Sequence, residues 1–199
     1  MTYYTENLAA LIGSRICHDL ISPIGAVNNG LELLSLSGAP EGPEMALVSN
    51  SAASANARIR LFRLAFGIAS DTQITRGDEI RDIWRGVHHD GRITLDWAGP
   101  DSMERTMARL IVLACLCCEV ALPLGGSIHV MQDGNECTLT AKGPKLAIDP
   151  GLWDGLLDLG DQRDIQPAHV QFVLLPHHLG LMGRKCSYRA TEEALTIAL

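Results

Sequence analysis

The chain has 199 residues, 47% of them hydrophobic, with a formal net charge of −7 at pH 7. That apolar content argues against disorder, and the length suits one large domain or two small ones. The acidic balance, with Lys and Arg scattered rather than clustered, speaks against a nucleic-acid partner, which requires a basic patch.

A first helix is predicted from about Thr5 to Leu36. Ile16, Leu20, Ile24, Val27, Leu31 and Leu34 recur at steps of four and three and paint one apolar stripe. Met1–Asn7 carries no Lys or Arg, so it does not read as a signal peptide. The stretch Ser35–Pro43 is a turn by composition, and a second helix follows from about Pro43 to Ala69. Its stripe is Val48, Ala52, Ala55, Ile59, Phe62, Phe66 and Ala69. A hairpin of two such helices has too little surface to bury both stripes. A dimeric four-helix bundle from two copies satisfies them, with Ala52 and Ala55 allowing close approach.

Ser70–Asp78 reads as a polar linker. Beyond it the expected elements are a short helix over Glu79–His88, a strand over Arg92–Trp97, and a long helix over Ser102–Leu122. Strands then follow over Ser127–Met131 and Glu136–Lys142, with Asp133-Gly134-Asn135 as a hairpin tip. A short helix over Pro150–Leu159, a longer one over Pro167–Gly183, and a closing hairpin of Cys186–Ala190 with Ala194–Leu199 complete the chain. This α-β-α-β-β-α-α-β-β order predicts an α+β protein: residues 1–72 a helical hairpin, residues 73–199 a two-layer α/β sandwich. The longest apolar run, Leu110–Leu124, is interrupted by Glu119 and Pro123 and falls short of the ~20 residues that span a bilayer. The six cysteines, Cys17, Cys115, Cys117, Cys118, Cys137 and Cys186, lack the spacing of a disulfide framework, so reduced thiols in the cytoplasm are expected.

The chemistry concentrates in His18-Asp19-Leu20-Ile21-Ser22-Pro23-Ile24. At about 100° per residue the apolar stripe centres opposite His18, which therefore faces solvent with Ser14, Arg15, Ser22, Gly25 and Asn29. A neutral imidazole is a good nitrogen nucleophile near pH 7, and attack on an acyl phosphate gives a phosphohistidine. Asp19 can orient the ring or accept a proton, and Ser22, one turn on, can hydrogen-bond a phosphoryl oxygen. Pro23 inside a helix costs about 3 kcal/mol and asks for a reason.

The motif resembles the H-box of histidine-kinase dimerisation-and-phosphotransfer domains: His, acid, aliphatic, variable, small polar, Pro, aliphatic. The stretch Arg15–Leu34 (RICHDLISPIGAVNNGLELL) and the order of elements are similar to the ChpT-type histidine phosphotransferases of alphaproteobacteria. The resemblance implies phosphorylation at His18, with Asp19 and Ser22 in support. It implies a docking face for receiver domains around Ser14, Arg15, Ile21, Gly25 and Asn29. The implied partners are receivers of a hybrid histidine kinase and of response regulators, and a second copy of the chain. It also implies a degenerate histidine-kinase ATPase domain.

Kinase ATPase domains hold Mg-ATP with an asparagine-bearing helix, an Asp-x-Gly-x-Gly loop and a glycine-rich lid. Here the Ser102–Leu122 helix has no asparagine, Asp158-Leu159-Gly160-Asp161-Gln162 matches the loop in its first half only, and Gly180-Leu181-Met182-Gly183 is a poor lid. Asp161 and Asp164 would repel phosphates. No cofactor is expected in this chain; the Mg²⁺ of the reaction belongs to the receiver. The competing readings are a non-catalytic dimeric adaptor and a divergent autokinase. Cys115, Cys117 and Cys118 read as buried apolar residues rather than metal ligands, His88-His89 and His177-His178 as surface pairs, and Trp84, Trp97 and Trp153 as core or interface anchors.

Overall fold

A computed structural model describes residues 2–37, 42–70, 72–133, 136–157 and 165–199. Two long helices open the chain, α1 (Thr2–Ser37) and α2 (Pro43–Phe66). The centre of the expected turn, residues 38–41, lies outside the described residues. α1 runs through Pro23 without ending. The two helices approach closely at Gly30, where a Cβ would clash with Val48 Cγ2.

The second unit contains β1 (Ile74–Arg76), α3 (Gly77–Val87), β2 (Ile93–Ala98), β3 (Ser102–Glu104) and α4 (Arg105–Ala121). It continues with β4 (Gly126–Asp133), β5 (Glu136–Lys142), α5 (Pro150–Trp153), α6 (Gln171–Leu181), β6 (Ser187–Ala190) and β7 (Leu195–Ala198). Five strands form one sheet in the order β2-β4-β5-β7-β6, with β2 parallel to β4 and the other pairs antiparallel. Its inner face presents Ile93, Ile128, Val130, Leu139, Leu195 and Ile197, all buried, while Thr94, Asp96 and Ala98 on the other face are exposed. The alternation is that of a sheet covered on one face, as the two-layer reading requires.

The structure corrects three expectations. The linker holds β1, which pairs antiparallel with β3 through Thr75 opposite Met103, so the long helix begins at Arg105 rather than Ser102. Strands of three residues with one buried position each are too short to show an alternation. The expected Pro150–Leu159 helix is one α turn followed by a 3-10 turn at Asp154–Leu156. The Pro167 helix begins as a 3-10 turn, Pro167–His169, before α6. Residues 134–135 of the hairpin tip, and residues 158–164 with the partial Asp-x-Gly loop, Asp161 and Asp164, lie outside the described residues. Gly180–Gly183 is the end of α6 and its turn, closed by Gly183 at φ 67.

α4 is the hub of the core. Every side chain from Leu110 to Cys118 is 2% exposed or less, since the sheet lies on one side of the helix and α2 and α6 on others. Ala57, Leu61, Leu64 and Ala65 of α2 belong to the same apolar cluster. Arg105 donates to the Arg63 carbonyl (3.0 Å) and Arg109 to that of Gly67, tying α4 to the end of α2. Trp84 and Trp153 are fully buried, with Trp84 Nε1 donating to the Ile93 carbonyl at 3.2 Å. One face of α2 thus anchors the hairpin to the α/β unit and fixes where α1 stands.

Candidate functional site

On α1 the His18 side chain is 83% exposed, whereas its neighbour Asp19 is only 11% exposed. One Asp19 oxygen stands 3.0 Å from His18 Nδ1. The other accepts from Arg15 Nε at 2.7 Å, and Arg58 of α2 lies 3.9 Å from it. Held from its far side by arginines, the carboxylate faces Nδ1 as a hydrogen-bond acceptor. That bond fixes the tautomer and turns the Nε2 lone pair towards solvent.

His18 opens onto a cleft of ≈ 490 Å³ between α1, α2 and the end of α3. Ser22, Asn50, Ser54, Arg58 and His89 contribute its polar lining, and Pro23 and Leu47 part of its apolar lining. Among the other residues singled out in the sequence, Ser14, Ile21 and Asn29 are exposed, Ile21 at 70%. Gly25 is half-buried, with open space where a Cβ would stand. Arg15 departs from the expected docking face. Its side chain is 15% exposed, bonded to Asp19, and donates to the Ala168 carbonyl of the second unit.

The sequence reading missed the far wall of the cleft. Asn50, Ser54 and Arg58 recur at steps of four, a polar stripe beside the apolar one, and that was the available signal. His88-His89 is not a surface pair. His88 is 7% exposed against Trp84, 3.8 Å from Glu119, and burial, aided by Arg92 and Arg58, lowers its pKa to about 4. His89 turns the other way, into the cleft. His177 and His178 are half-buried, and burial, with Arg109 and His177, lowers His178 to about 4. Cys115, Cys117 and Cys118 are fully buried as expected, and burial pushes the Cys118 thiol up to about 12. Among the described residues no group of three or more His, Cys, Asp or Glu could hold a metal ion, and no helix is long and apolar enough to cross a membrane.

A sequence profile described as the histidine phosphotransferase C-terminal domain matches residues 77–194. The chain belongs to the histidine phosphotransferase family. It is 34% identical to the protein phosphotransferase ChpT of Brucella abortus (strain 2308), an alignment that covers 100% of this chain and 97% of that protein. A solved bacterial phosphotransferase superposes with a TM-score of 0.81 at 32% identity, over 96% of this chain and 95% of that one. The histidine kinase AdeS of Acinetobacter baumannii aligns at 10% identity with a TM-score of 0.44, over 91% and 95% of the two chains. This phosphotransferase is therefore an enzyme of two-component phosphorelays, with response regulators or kinases as partners.

Proposed function

We propose that Nε2 of His18 takes a phosphoryl group from the aspartyl phosphate of a hybrid kinase's receiver domain and delivers it to the aspartate of a response-regulator receiver. The carrying observation is the exposed imidazole whose Nδ1 is held 3.0 Å from Asp19. The Nε2 lone pair attacks phosphorus, the P–N bond forms as the acyl P–O bond breaks, and the electron pair leaves on the donor's carboxylate. The ring becomes a phosphorylated imidazolium with its proton still on Nδ1, and Asp19 balances that charge. Delivery reverses these events on the second receiver. Ser22 donates to a phosphoryl oxygen, and Ser14, Ile21, Gly25 and Asn29 form the floor on which a receiver sits. The receiver supplies the Mg²⁺.

In this reading the chain does not make its phosphoryl group from ATP. α4 offers only buried apolar side chains from Leu110 to Cys118, where a triphosphate and its metal require polar donors. Two copies pair through the hairpin. Ile24, Leu31 and Ile59 are exposed at 48%, 52% and 52% in the single chain, which suits a seam that a second hairpin covers. The free thiols suit the cytoplasm.

The test is transfer of label from a phosphorylated receiver. Wild-type chain should acquire base-stable, acid-labile label; His18→Gln should acquire none, with stability changed by no more than about 0.5 kcal/mol because the side chain is 83% exposed. Label on the His18→Gln chain would overturn the assignment.

A further inference from the structure

We propose that Arg58 is the phosphoryl-binding residue of the phosphorylated state, the group on α2 that leaves Asp19 to hold the phosphoryl oxygens once His18 carries them. The inference rests on the His18 reading above and adds what receives the new charge. A phosphoryl group brings about −1.5 to −2 charges at neutral pH. It would arrive on Nε2, across the ring from the nitrogen that Asp19 faces, in the cleft that Asp19 and Arg58 also line, and a second negative group in one cleft favours a cation beside it.

Two arginines surround Asp19. Arg15 is spent: its Nε bonds Asp19 at 2.7 Å, its guanidinium also donates to the Ala168 carbonyl, and its side chain is 15% exposed. Arg58 is different. Its contact with Asp19 is 3.9 Å, beyond hydrogen-bond length, its side chain is 31% exposed, and it lines the same cleft as His18 and Ser22 from the facing helix. A guanidinium presents five donors in a plane and stays charged at every working pH, so it can take two phosphoryl oxygens at once. Exchange also suits the cycle. In the unphosphorylated state Arg58 stands 3.9 Å from the Asp19 carboxylate. In the phosphorylated state it neutralises the product, while Arg15 still holds Asp19.

The experiment phosphorylates the full-length chain with potassium phosphoramidate, a donor that needs no receiver docking, and follows the phosphohistidine ³¹P resonance from pH 6 to 9. Arg58→Gln should raise the apparent pKa of the phosphoryl group by about one unit, the loss of one nearby cation. Arg58→Lys should restore most of the difference. Arg60→Gln makes the same change of net charge on α2 outside the cleft and should leave the titration at its wild-type position. With a phospho-receiver as donor, Arg58→Gln should lower the maximal transfer rate on the order of 10–100-fold without changing the half-saturating receiver concentration. The proposal is overturned if Arg58→Gln titrates like wild type, or if Arg60→Gln shifts the curve equally. Wild-type chain that phosphoramidate labels elsewhere than His18 would instead defeat the underlying reading.

Discussion

The hairpin and the α/β unit are built from similar apolar fractions but close them differently. Around α4 nothing apolar is left over: Leu110 to Cys118 are covered by the sheet, by α2 and by α6. In the hairpin one face of α2 is buried in that same core, while Ile24 and Leu31 of α1 and Ile59 of α2 stay about half exposed. The α/β unit closes its core with one face of α2 as part of the cover; the hairpin keeps surface in reserve on one side and a polar cleft on another. α1 packs on α2 along one face, and the face that carries the exposed His18 is left uncovered, as the proposed phosphoryl transfer requires.

That contrast can be broken in four ways. Leu113→Ala should cost about 3–5 kcal/mol, because a void in a fully covered core cannot collapse, and leave assembly unchanged; denaturant unfolding and light scattering check the two halves of the statement. His88 tests the closed region against acid. Its folded-state pKa of about 4 lies below the ordinary 6.5, so the unfolded chain binds the proton first. Stability is full above about pH 7 and is lost as pH falls through the window from 6.5 to 4, by about 2 kcal/mol between pH 7 and 5. Glu119, whose carboxyl is raised by burial and lies 3.8 Å away, opposes part of that slope. Unfolding curves across this range should steepen the loss in wild type and flatten it in His88→Gln. Ile59→Asp should leave the fold within about 1 kcal/mol yet turn a dimer into a monomer by light scattering, since a charge enters the seam only when a second copy covers it. A wild-type monomer at micromolar concentration would remove the premise. The smallest effect is a null: titration with Mg-ATP should give no heat in the micromolar range, and a one-site isotherm there would show that the second unit still holds nucleotide.

Some of this was legible in the sequence for simple reasons. The His18 motif, Pro23 included, is contiguous, and a helix presents its faces by spacing alone, so the exposed ring beside Asp19 followed from periodicity. The order of the long elements followed too, because each carries its own apolar pattern. Strands of three residues, β1 and β3, carry too little pattern to be read, and each exists because the other pairs with it.

The sequence also determined that the centre of α4 would be buried, since no position from Leu110 to Cys118 is charged or strongly polar. It did not determine what Arg15 and Arg58 do. Both are arginines within reach of one aspartate; only the packing of α1 beside the 3-10 turn at Pro167–His169 places Arg15 on the Ala168 carbonyl, and only the packing of α2 beside α1 leaves Arg58 3.9 Å from Asp19 at the cleft. His88 and His89 differ for the same reason. Adjacent residues of like chemistry are sent to opposite environments, one under Trp84 and one into the cleft, by a helix end whose direction is set by the core beneath it.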